Sequence, residues 1–311
     1  MSLRTKIKPL SQIEMYTIFK SVNRFKDAQR SVFTKAPGLV MHMELDIKHD
    51  GEVIFATPHV LMSAEDGKAA KVIAGKANEW GHRDATTGGE VRFGRVTGFT
   101  QLSDKQIVVV DSLSHCLRLV EHSTGATSTY VGQCEWYGFV NGPNGQFNKP
   151  HSVILDNHDS NQLLVTDTVN SAIRTVDMTS KALGTFYRSS SLSMYEKCTG
   201  LSQHVTTGDL YVADVRRVYH IKYDDKTFRK LPVSSTKFLY PAGIMPFGED
   251  TSDLMFIADS RYNTVSIVNV VSDIVIQIPI DNLKDPRSGL ELDGGSLLIG
   301  QQDMIEKFSR K

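Results

Sequence analysis

The sequence predicts an all-β fold: a single six-bladed β-propeller of four-stranded antiparallel blades, its ring closed by an N-terminal strand that completes the last blade. Three observations predict it. An unusual segment is written twice. Gly75 and Gly81 are followed by Asp84, a Gly-rich stretch and Phe93; 57 positions after Gly75, Gly132 and Gly138 are followed by Asn141, a second Gly-rich stretch and Phe147. The end of that segment, a large apolar residue five positions before a small one, recurs along the chain. It is found as Phe33 before Gly38, Phe93 before Gly98, Phe147 before Ser152, Tyr195 before Gly200, Phe238 before Gly243 and Leu283 before Ser288. These anchors are separated by 60, 54, 48, 43 and 45 residues, a period that belongs to propellers and solenoids. The final unit is also one strand short, which a closed ring must repair from its other end.

In chain order, residues 1–15 read as a basic arm and YTIFKSV, 16–22, as the strand that closes the ring. Blades are expected to start near residues 37, 97, 151, 199, 242 and 287. Each opens on an inner strand such as HSVILD or AGIMPF, and a second strand then runs into an aspartate: QIVVVD at Asp111, LLVTD at Asp167, LYVAD at Asp214, MFIAD at Asp259. A third follows (CLRLVE, AIRTVD, VYHIKY, TVSIVNV) and a fourth closes the unit (TSTYVG, GTFYR, TFRKLP, IVIQIP). β-Branched and aromatic runs punctuated by Gly, Asp and Asn make antiparallel strands, and no helical periodicity competes with them. After Ser288 only 23 residues remain, enough for SGLEL, GSLLIGQ and MIEKFSR but not for a fourth strand. One domain over 1–311 accounts for the pattern without an internal boundary.

Basic and acidic residues balance at 35 each with a pI near 7.2, so no net field favours nucleic acid or an anionic membrane. No apolar run reaches the length of a membrane-spanning helix, and MSLRTKIKPLSQIEMYTIF lacks the apolar core of a secretory signal. Both features suit an intracellular protein or a domain of a longer one. Three cysteines are no disulfide framework. Cys116 and Cys134 nevertheless flank one strand-turn-strand segment and could join across it in oxidising surroundings; the alternative is two reduced thiols in a sheet.

The segments VVVDSLSHCLRLVE, LLVTDTVNSAIRTVD and LYVADVRRVYHI, with GQFNKPHSV before the second, resemble the NHL-repeat family of β-propellers. The likeness is closest in the second and third units. That family includes RNA-binding regulators, protein-interaction domains, modules of large extracellular proteins and a zinc-dependent lyase, so the resemblance speaks to fold more than to function. The cysteine-bearing hairpin followed by its Gly-rich loop is most similar to the extracellular type. It implies a monomeric module of a larger extracellular protein, with the cytosol as the alternative location.

Candidate site residues follow from the propeller geometry. The long connectors carry both tryptophans, Trp80 and Trp136, together with Tyr137; exposed, they are interface anchors, and packed, they are core. The residues preceding the small anchors mark the mouth of the central channel: Pro37, Thr97, His151, Thr199, Ala242 and Arg287. That ring holds one histidine, one arginine and no acid. It predicts no catalytic residue, no metal and no cofactor, and instead a binding patch in which Arg287 and a switchable His151 hold an anionic group. The four strand-end aspartates are spread one per blade, and the expected role is accepting turn N–H groups. Basic residues in the first 35, among them Lys20, Arg24 and Arg30, make an RNA contact conceivable but disfavoured. The sequence therefore predicts a non-enzymatic module that binds a protein or glycan through one face, with a channel-based lyase or hydrolase as the alternative.

Overall fold

The computed structural model describes residues 25, 28–45, 51–189, 198, 200–214, 216–231, 238–247, 253–292 and 295–309. The strand β1, Gln29–Lys35, comes first. Blade 1 follows as β2 His42–Leu45, β3 Glu52–Thr57, β4 Val60–Glu65 and β5 Lys71–Gly75. Blade 2 comprises β6 Val96–Gln101, β7 Gln106–Asp111, β8 Cys116–Glu121 and β9 Thr127–Val131. Blade 3 comprises β10 Pro150–Leu155, β11 Gln162–Asp167, β12 Ala172–Asp177 and β13 Leu183–Arg188. Blade 4 comprises β14 Gly200–Gln203, β15 Leu210–Ala213, β16 Val218–Ile221 and β17 Phe228–Lys230. Blade 5 comprises β18 Pro241–Pro246, β19 Leu254–Asp259, β20 Thr264–Asn269 and β21 Ile274–Gln277. Blade 6 comprises β22 Ser288–Glu291, β23 Leu297–Gly300 and β24 Met304–Ser309, with β1 paired antiparallel to β24 as its outer strand.

The ring is thus a six-bladed β-propeller closed by an N-terminal strand. Its closing strand is Gln29–Lys35, while residues 16–22, expected in that role, lie outside the described residues. The reason is the short link between blades 6 and 1. Phe33 sits within the outer strand, and only residues 36–41 separate that strand from β2, whereas long connectors precede β6 and β10. For the same reason blade 1 begins at His42 and not near 37. The other five inner strands start within one residue of the expected positions.

Six buried clusters hold the ring together, each shared by two adjacent blades. Ile54, Leu61 and Ala74 of blade 1 meet Phe99, Ile107 and Val109 of blade 2, and Phe93 closes the interface. Phe147 does the same between blades 2 and 3, Phe238 between 4 and 5, Leu283 between 5 and 6, and Phe33 between 6 and 1. The recurring sequence anchor is the wedge between neighbouring blades; Tyr195 lies outside the described residues. Both faces of each sheet are covered in this way, so β3, β7 and β19 are apolar almost throughout instead of alternating.

Candidate functional site

In a propeller blade the strands alternate in direction, so the inter-blade connectors and the turns between second and third strands share one face, the face on which the inner strands begin. The two long connectors here are 76–95 and 132–149. Both leave the outer strand through a glycine in left-handed conformation, Gly75 at φ 94° and Gly132 at φ 101°. A Cβ on Gly75 would lie 2.2 Å from the His59 carbonyl oxygen, a conformation and an approach that only glycine permits.

Each connector then folds over a buried arginine. Arg118 of β8 donates from Nε to Asp84 at 2.9 Å, pairs with Asp111 at 3.2 Å, and lies over the Phe93 ring. Arg174 of β12 pairs with Asp167 at 2.8 Å, donates to Asn141 and to the carbonyls of Val140 and Gln146 at 2.7 to 2.9 Å, and covers Phe139 and Phe147. The duplicated segment encodes this cage, its Asp84 or Asn141 on one side and its Phe on the other. The strand-end aspartates complete it. Asp111 accepts from the backbone N–H groups of Gly94 and Arg95, Asp167 from Asn148, and Asp259 from Leu239 and Tyr240. These bonds tie each incoming connector to the next blade. The following turn supplies the expected donors at two positions: Asp214 accepts from the Arg216 N–H, and Asp259 from the N–H groups of Arg261 and Tyr262. Their role is structural. Neither buried arginine was singled out from the sequence, although Arg118 and Arg174 stand seven residues after Asp111 and Asp167 in both copies.

At the channel mouth, Thr97, Ala242 and Arg287 line a narrow central passage, and Met41 and His42 fill the place expected for Pro37. Pro37 lines a surface depression beside Phe33 and Val60, displaced by the short blade 6 to blade 1 link. Thr199 lies outside the described residues. The Thr97 hydroxyl donates to the His151 carbonyl at 2.7 Å, bridging two inner strands. Burial pushes the His151 imidazole down to about 3, with the positive charges of Arg95 and Arg287 acting in the same direction. That direction works against the protonated His151 that an anion-holding pair with Arg287 would use. Arg287 is paired with Asp285, Nε to Oδ1 at 3.1 Å and Nη2 to Oδ2 at 3.3 Å, and rests over Tyr240. The ring expected to lack an acid has one beside its arginine, contributed from two residues upstream.

The connector tips are exposed. Trp80 retains 76% of its accessible surface, and Trp136 and Tyr137 each retain 70%. Backbone bonds hold these tips: Gly81 to Phe93, Arg83 and Arg92 to each other, Glu135 to Ser114, Trp136 to Gln133 and Gly138 to Phe147. Tyr137 leans on the His115 ring at 5.7 Å, and His82 lies 4.0 Å from Glu135, so the two connectors touch. Exposed Leu113, Val140 and Val169 belong to the same face. Cys116 and Cys134 are joined as a disulfide, tying the start of the second connector to β8. Of the early basic residues, 1–24 lie outside the described residues, and Arg30 is paired with Glu306.

At the opposite end of the channel, the ends of the inner strands open into a cavity of about 540 Å³, lined by Ile154, Leu201, Ile244 and Leu290 with His42 and Glu44 at its side. The His42 Nε2 and a Glu44 carboxylate oxygen are 3.5 Å apart, and Glu44 also accepts from the Gln101 backbone and side chain. Among the described residues, no helix is long and apolar enough to cross a membrane.

No protein-family model matches the chain, and no curated protein matches it. Solved structures do match in fold. The chain is similar to a structure from a nidogen/laminin complex, at 13% identity and a TM-score of 0.59, covering 80% of this chain and 85% of that one. It is similar to a streptogramin B lyase, at 12% identity and a TM-score of 0.61, covering 93% and 99%. A catalytically inactive virginiamycin B lyase from Staphylococcus aureus with quinupristin matches at 13% identity and 0.61, covering 92% and 99%. At these identities the likeness is one of fold, and it spans propellers of a binding kind and of an enzymatic kind.

Proposed function

We propose that this propeller is a non-enzymatic interaction module that binds a protein or glycan through the connector-bearing face. The observation that carries the reading is that Trp80, Trp136 and Tyr137 are all exposed on two loops that approach each other at His82 and Glu135 and are held by backbone hydrogen bonds. Large apolar side chains of this kind are normally buried, and rigid exposed aromatics are the residues that dominate interfaces. Loops already held in place lose little conformational entropy on binding. A structure of similar fold from a nidogen/laminin complex supports the reading.

The test is a glycan array and a panel of purified extracellular-matrix proteins including laminin, probed with the wild-type chain and with Trp80→Ala/Trp136→Ala. Binding by the wild type that falls at least about ten-fold in the variant supports the reading. No binding by the wild type, or binding that the variant retains, overturns it.

A second reading, a channel-based lyase or hydrolase, is favoured by the far-end cavity with its His42–Glu44 pair and by the streptogramin B lyase neighbour. Turnover of quinupristin by the wild-type chain and its loss in His42→Ala would establish it.

A further inference from the structure

The two long connectors meet at a cluster that neither their aromatic tips nor the channel explains. His82, Cys116 and Cys134 each present one ligand-type atom, and the three atoms lie within 4.8 Å of one another. They come from three separate places: His82 from the first connector, Cys116 from the buried start of β8, and Cys134 from the second connector, three residues beyond β9. The two cysteine Cα atoms are 5.0 Å apart. The His82 Nε2 is buried and has no hydrogen-bond partner among the described residues. Leaving such an atom unpaired is destabilising. The other ring nitrogen, Nδ1, faces the Glu135 carboxylate at 4.0 Å.

We propose that reduction of the Cys116–Cys134 disulfide turns this cluster into a binding site for one borderline-soft divalent cation of the zinc class. The cation is held by the two thiolates and His82 Nε2. Two sulfurs and an imidazole are the donor set that selects zinc over the hard cations. Glu135 lies 4.0 Å from Nδ1, beyond hydrogen-bond reach, and a closer approach on metal binding would let its carboxylate accept the Nδ1 proton and fix the tautomer that leaves Nε2 free to ligate. The fourth position is open to water.

The chemistry balances with a thiol or phosphine reductant. With a dithiol, the protein S–S bond breaks to two thiols while the reductant is oxidised to its own disulfide. The metal then displaces the two thiol protons to solvent and forms two metal–sulfur bonds. The disulfide and the cation are alternative cross-links. The disulfide joins β8 to the second connector alone, and the cation joins both connectors to β8. Cys134, in a loop, provides the side-chain rotation that separates the sulfurs, while Cys116 stays in its strand.

The experiment titrates the full chain, reduced by a phosphine under anaerobic conditions, with cobalt(II) as a spectroscopic probe and then with zinc. One equivalent of cobalt is expected, with a thiolate-to-cobalt charge-transfer band and the intense visible bands of a tetrahedral site, both displaced by zinc. The oxidised chain takes up none, and Cys116→Ser/Cys134→Ser removes the charge-transfer band. His82→Ala weakens uptake at least about ten-fold, because even an outer-shell partner is worth that much. A folded reduced chain with two titratable extra thiols that takes up no cobalt overturns the proposal, as does uptake that His82→Ala leaves unchanged. Circular dichroism follows the fold throughout. Loss of the β signal on reduction with zinc present overturns it equally.

Discussion

Arg174 and Asp167 lie 2.8 Å apart with both side chains fully removed from solvent. Burial pushes the Asp167 carboxyl up, and the bonds from Asn170, Asn148 and Arg174 oppose that rise. The guanidinium spends its remaining donors on Gly184, Gln146, Val140 and Asn141. A charge pair in the interior is tolerable only when its other hydrogen-bonding capacity is met, and here the connector supplies the partners. The same strand that stabilises a blade thereby shapes the loop that presents Trp136.

Removing one partner should therefore be severe. Asp167→Ala is expected to cost about 3–5 kcal/mol, because Arg174 is left charged and unpaired. Asp84→Ala is expected to cost about 1 kcal/mol or less, since Asp84 is substantially exposed and Arg118 keeps Asp111. Urea unfolding monitored by fluorescence measures both; equal losses would contradict the cage.

The depressed His151 pKa sets a pH dependence. The unfolded imidazole takes up its proton near pH 6.5 and the folded one only near about 3. Between these values the unfolded state binds more protons, so this group's stability contribution is fully present above about pH 6.5 and is lost as pH falls. The slope from this group reaches about 1.4 kcal/mol per pH unit. His151→Asn should flatten the stability profile relative to wild type between about pH 6.5 and 4. Parallel profiles would mean that His151 titrates normally in the folded state.

The two connector glycines should differ. Gly132→Ala costs a left-handed alanine, about 1–2 kcal/mol, together with a tight 3.2 Å approach of its Cβ to Cys116 and the His115 carbonyl oxygen. Gly75→Ala adds a clash with the His59 carbonyl oxygen and is expected to cost clearly more, at least about 2 kcal/mol. Thermal melts of the two variants rank them, and the reverse order would be inconsistent with this geometry.

Trp80→Ala/Trp136→Ala should leave stability within about 0.5 kcal/mol of wild type, as exposed substitutions do. A larger loss would show that the tryptophans support the connectors themselves, and would require the binding comparison to be made with Phe in place of Ala.

The repeat, the number of blades, the strand order within each blade and the closure by an N-terminal strand were all legible in the sequence. A buried strand between two covered faces must be apolar, and its turn must carry Asp, Asn or Gly, so the period is written in residue types. Phe93 and Phe147 were legible as recurring anchors, and the structure places them between neighbouring blades. What only the tertiary structure decided were relations between segments distant along the chain. Trp80 looks the same whether packed or exposed, and only the hydrogen-bonded course of its connector places it outside. His151 reads as a switch, and only the ring brings Arg95 and Arg287 near enough to oppose its protonation. Arg118 and Arg174 lie in third strands, and only the connectors that cover them make them buried. His82 meets Cys116 and Cys134 only because two loops from different blades converge. Local propensity and periodicity act over a few residues and survive in the sequence; solvent exposure and electrostatic environment depend on what the ring brings alongside, which no single segment records.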